Sequence, residues 1–214
     1  MACCNENHCG SAAPPDGRYR LVLWIVLVIN AAMFGVEIVS GLAAGSAALQ
    51  ADALDFFADA ANYGISLFVL GMALRLRARA ALIKGVSMGV FGLWVIGTVV
   101  WHGLHGTIPG WGTMGIVGAA ALTANLACLG LLYAWRNGDS NMRSVWICSR
   151  NDVLANLAVL AAALGVFGTQ TGWPDLVVAA VMAGLALHGA WVIIRHALAD
   201  MRADAAPAAV QPAE

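Results

Sequence analysis

The chain reads as an all-α, polytopic membrane protein, with six transmembrane helices in one bundle and both termini in the cytoplasm. Three observations predict this. Of 214 residues, 61% are hydrophobic and 11% charged, with a mean hydropathy of +0.78; a soluble domain carries charge on roughly a quarter of its residues. Apolar runs of about 20 residues recur, each able to cross a hydrocarbon core roughly 30 Å thick. Cationic residues gather at alternate connections. The net charge of −1 leaves no basic stripe for nucleic acid.

In chain order, residues 1–17 are polar and contain Pro14-Pro15, which predicts a flexible cytoplasmic arm with little to bury. The transmembrane domain occupies 18–199, with spans expected at 19–41, 46–74, 80–101, 114–135, 144–167 and 173–197. Residues 200–214 are rich in Ala and Pro and are expected to form a disordered cytoplasmic tail. Connections between spans are short, so neighbouring helices should run antiparallel. Gly35, Gly41 and Gly45 near the first turn, and Gly85, Gly92 and Gly97 along the third span, suit close helix approach, as ordinary membrane-helix packing.

Orientation follows from the cations. Arg18, Arg20, Arg75, Arg77, Arg79, Lys84, Arg136, Arg143, Arg195 and Arg202 fall at the termini and in the second and fourth connections. The first, third and fifth connections hold none. Arg150 lies about two turns inside the fifth span and can snorkel back. The alternation puts both ends inside by the positive-inside rule. The chain opens with Cys and Asn rather than a basic segment, so no cleavable signal is expected. The five cysteines, Cys3, Cys4, Cys9, Cys128 and Cys148, then face reducing or intramembrane surroundings.

Carboxylates at membrane depth are costly and point to function. Asp52, Asp55, Asp59 and Asn62 share less than about a quarter turn of the second span at about 100° per residue. In the fifth span Cys148, Asp152 and Asn156 recur every fourth residue, again on one face. At 1.5 Å per residue Asp55 lies about 14 Å from the outer edge, and Asp152 about 12 Å from the inner one. The two faces can therefore meet. Asp55, Asp59, Asp152 and a Cys148 thiolate form an O₃S donor set suited to Zn²⁺, Cd²⁺ or Co²⁺. Asp52, Asn62, Asn156 and Glu37 are accessory candidates. Cys148 reads either as a ligand or as a small buried apolar residue. Cys3, Cys4, His8 and Cys9 place four soft donors in the arm, enough to capture one metal ion; an adventitious terminus is the alternative. No catalytic group and no prosthetic group is expected; the metal is cargo.

The run Asn30, Glu37, Gly41, Gly45-Ser46, Leu49, Asp52, Asp55, Asp59, followed by Asp152-Val153-Leu154-Ala155-Asn156, resembles the cation diffusion facilitator family of divalent-metal/proton antiporters. The resemblance is closest in the second and fifth spans. It implies a transport site of Asp55 and Asp59 with Cys148 and Asp152, where the fifth-helix pair more often opens with His or Asp. It implies efflux of metal from the cytoplasm against inward proton flow, in a cell membrane and by inference the bacterial inner one. Members usually carry a cytoplasmic domain after the sixth helix, and this chain is expected to lack it. A homodimer would then rest on transmembrane helices alone, within membrane lipid.

Two other classes compete. A non-transporting metal-resistance or sensor protein would use the Cys-rich arm and tolerate loss of Asp55 or Asp152. A metal-dependent intramembrane phosphatidyltransferase would need Gly after its first Asp, whereas Ala53 follows Asp52.

Overall fold

In a computed structural model, residues 17–68, 74–135 and 140–205 are described. Among these residues six helices follow one another: α1 (Gly17–Ala44), α2 (Ala47–Phe68), α3 (Leu74–His105), α4 (Trp111–Leu132), α5 (Ser140–Thr169) and α6 (Trp173–Ala205), with one 3₁₀ turn at Tyr133–Trp135. Among the described residues there is no strand. Each expected span corresponds to one helix.

Most helix ends shift by a few residues, α3 reaching His105 and α5 opening at Ser140, and two shifts follow from composition. Leu74 opens α3 instead of closing α2, because the Arg, Leu and Ala residues that follow are strong helix formers and carry the helix past its apolar stretch. For the same reason α6 continues to Ala205, beyond the boundary at 199. The expected arm, apart from Gly17, and residues 206–214 of the expected tail lie outside the described residues.

Among the described residues, five helices are long and apolar enough to cross a membrane: α1, α3 from Ala78, α4, α5 from Arg150, and α6 to Arg202. α2 has the length but carries three aspartates, and it is the helix that the others shelter. It packs against α1, α3, α5 and α6, while α3 lies along α6 and α4 along α5. From Ala47 to Phe56 every α2 residue is buried. Large apolar side chains such as Val39, Ile83, Leu104, Ile116 and Leu164 point outward instead, the distribution a lipid-facing surface requires.

The α1–α2 turn explains how α2 enters the bundle. Gly45 takes φ +63°, a conformation open to glycine. The Gly45 amide donates to the Leu42 carbonyl at 3.3 Å, and the Ser46 amide to the Gly41 carbonyl at 2.9 Å. This pair of bonds is a Schellman C-cap that closes α1 and reverses the chain. A Cβ at Gly41 would stand 3.1 Å from Gln50 and Leu49 atoms, so glycine there lets α1 and α2 approach closely. Ser46 then caps α2 by accepting the Leu49 amide at 3.1 Å, as an N-cap serine does.

Candidate metal centre

The carboxylate stripe of α2 faces inward. Asp55 is 8% exposed and Asp52 fully buried; Asp59, one turn further in, is half-buried, as is Asp152 on α5. The Asp59 and Asp152 carboxyl groups lie within hydrogen-bonding reach of each other across the α2–α5 contact. Asp55 is within electrostatic reach of Asp52, Asp59 and Asp152. The Tyr63 hydroxyl donates to Asp59 Oδ2 at 3.2 Å. One oxygen each of Asp55 and Asp152 is buried with no hydrogen-bond partner. Acids left short of donors in an apolar interior need a proton or a cation to compensate their charge.

In this conformation no three His, Cys, Asp or Glu side chains among those described gather tightly enough to hold an ion. The Cys148 backbone belongs to α5, but its side chain lies outside the described residues. So do Cys3, Cys4, His8 and Cys9. The arrangement brings Asp59 to Asp152 and leaves Asp55 adjacent; a bound divalent ion would have to draw all three together.

A second polar cluster lies on the Asp52 side of Asp55. The Asn156 Nδ2 donates to both Asp52 oxygens, at 2.9 and 2.7 Å, and the Asn125 Nδ2 donates to Asn156 Oδ1 at 3.0 Å. This chain of bonds joins α4, α5 and α2. Glu37 of α1, fully buried, faces the Asp52 carboxyl, and neither of its oxygens has a donor among the described residues. Of the accessory candidates, Asp52, Asn156 and Glu37 thus share one cluster. Asn62 instead accepts from the Lys84 ammonium.

That last contact corrects the placing of Lys84 among the cations of the connections. Lys84 is 4% exposed and lies within electrostatic reach of Asp59. Three further residues escaped notice. Cys128 on α4, 1% exposed, accepts from Asn30 Nδ2 at 3.7 Å and lies within electrostatic reach of Asp59 and Asp152. Asn125, three residues earlier on the same face, was available to the same helical arithmetic. Asp175, in the first turn of α6, serves α2: its carboxylate accepts from Ser46 Oγ at 2.7 Å and from the Ala47 and Ala48 amides at 2.8 and 3.1 Å. No pattern in sequence links residues that far apart.

Comparison with known proteins gives the family. Residues 23–201 match the family model of the cation efflux transmembrane domain. The zinc transporter ZitB of Escherichia coli (strain K12) is 25% identical, over 98% of this chain and 71% of its own length. ZitB of Yersinia pestis is 24% identical, over 84% of this chain and 62% of its own. The matched domain contains the Asp59–Asp152 contact and the α2 stripe, and it sets the enzymatic alternative aside. With five membrane-length apolar helices among the described residues, the protein is a multi-pass protein of the bacterial inner membrane that moves divalent metal cations outward. It belongs to the cation efflux, or cation diffusion facilitator, family of membrane transporters.

Proposed function

We propose that this chain exports Zn²⁺ from the cytoplasm in exchange for protons, with Cd²⁺ and Co²⁺ as alternative cargo. Asp55, Asp59 and Asp152 are the carboxylate ligands, and Cys148 supplies a thiolate. The observation that carries this reading is the approach of Asp59 and Asp152 from separate helices inside a bundle of apolar helices. Zinc is put first because the relatives are zinc transporters by name. Metal and protons compete for the same oxygens, so proton arrival releases metal and metal arrival releases protons. Coupling follows from that competition without a separate proton channel.

Both termini lie on the cytoplasmic side, and Cys3, Cys4, His8 and Cys9 collect metal there before it enters the bundle. A second copy would associate through lipid-facing helix surfaces. The direct test is flux into proteoliposomes under an imposed pH gradient, comparing Zn²⁺, Cd²⁺ and Co²⁺. Acid inside the vesicle should drive metal uptake by outward-coupled exchange, and collapsing the gradient should stop it. Flux indifferent to the gradient would remove proton coupling from this account.

A further inference from the structure

Lys84 is an intramembrane cation that the transport reading leaves without a role. It lies on α3 at 4% exposure, and its Nζ donates to the Asn62 side-chain carbonyl on α2. Asn62 is a neutral amide, so this bond leaves the positive charge uncancelled. The carboxylate within electrostatic reach is Asp59, less than one turn before Asn62 on the same helix. A buried ammonium is strongly disfavoured unless a counter-charge accompanies it. Lysine also presents a compact point charge on a flexible stem, able to serve either neighbour. Among the described residues, the Asp59 surroundings hold the Tyr63 hydroxyl, Asp152 and Asp55, and the Cys128 thiol, none of them cationic.

We propose that Lys84 is a resident counter-cation of the transport site, balancing Asp59 when no divalent ion is bound and competing with the ion for that carboxylate. The inference rests on the carboxylate site described under Proposed function. With a divalent ion bound, the three carboxylates and the Cys148 thiolate leave two negative charges uncancelled at membrane depth, and the Lys84 ammonium offsets one of them. When metal takes Asp59, the Asn62 carbonyl keeps the ammonium in place beside it. The repulsion between ammonium and metal holds affinity down and favours release, which a transporter needs and a storage site does not.

Lys84 is thus a positioning and charge-setting residue rather than a ligand. The test is Zn²⁺ binding to the purified full-length protein, measured calorimetrically at mildly alkaline pH. Lys84→Met keeps an apolar stem and deletes the charge; it should tighten binding on the order of tenfold. Lys84→Arg keeps the charge and should stay within about threefold of the original. Structural damage weakens binding, so tightening separates an electrostatic role from a packing one. Unchanged or weaker binding by a fully helical Lys84→Met protein overturns the proposal. Should that variant fail to fold, Lys84→Gln carries the same test. Asp59→Asn, run in parallel, distinguishes the two readings. Intact zinc binding in Asp59→Asn means the carboxylate site itself is wrong. Loss there, with no tightening in Lys84→Met, removes only the counter-cation.

Discussion

Asp175 and Asp152 are both acids within a membrane bundle, yet their surroundings are opposite. Asp175 is fully buried and receives three donors, Ser46 Oγ and the Ala47 and Ala48 amides. Its charge also sits at the N-terminal ends of α2 and α6, where helix dipoles favour an anion. Asp152 faces another carboxyl group, Asp59, and keeps one oxygen without any partner. The first acid is completed by the protein and holds α2 against α6. The second is incomplete until something else binds. Satisfied hydrogen-bonding capacity thus marks Asp175 as a structural acid, while the open capacity of Asp152 supports the ligand role proposed for it.

Substitution can break that comparison. Asp152→Asn should have the largest effect on transport, lowering zinc flux by about a hundredfold or more, because the ion loses a charged ligand in a low-dielectric site. Its thermal midpoint should barely move, since removing one of two facing acids relieves repulsion. Flux assays alongside thermal unfolding check both halves. Asp175→Ala should do the reverse. It orphans one hydroxyl and two amides, costing about 3 kcal/mol of stability, while flux per folded molecule persists. An Asp175→Ala protein that is stable but inactive would erase the distinction.

Asn156 lies between these extremes. Its amide bonds both Asp52 oxygens and is itself held by Asn125. Asn156→Ala should cost about 1–2 kcal/mol and reduce flux several-fold, through misplacement of Asp52 rather than loss of an ion ligand. A metal affinity that collapses as far as in Asp152→Asn would instead make the Asp52 cluster part of the ion site.

How much of this could be read in the sequence follows from the range of each interaction. The six helices were legible because membrane-length apolar runs are local and the hydrocarbon core imposes their length. α2 was legible despite its acids, since the Asp55–Asp59 spacing is itself helical. The Asp59–Asp152 approach was legible in outline, because depth along each helix can be calculated and only two acidic faces fall at compatible depths. Lys84 was not. A lysine close behind Arg75, Arg77 and Arg79 has the sequence pattern of an interfacial cation, and only the α2–α3 contact turns it inward to Asn62. Asp175 was hidden by its own helix, where a first-turn acid ordinarily serves the local N-terminus; its partners belong to α2. Cys128 looked like an isolated thiol until α1 supplied Asn30 and the bundle set it near Asp59.

The central claim is that carboxylates from α2 and α5 hold the transported ion together. X-ray absorption at the zinc edge, on the purified protein loaded with one equivalent of Zn²⁺, tests it most directly. Coordination by Asp55, Asp59, Asp152 and Cys148 gives a shell of mostly oxygen at about 2.0–2.2 Å with one sulfur at about 2.3 Å, lost in both Asp59→Asn and Asp152→Asn. A nitrogen-dominated shell that survives both substitutions would place the metal at histidines elsewhere and contradict the assignment.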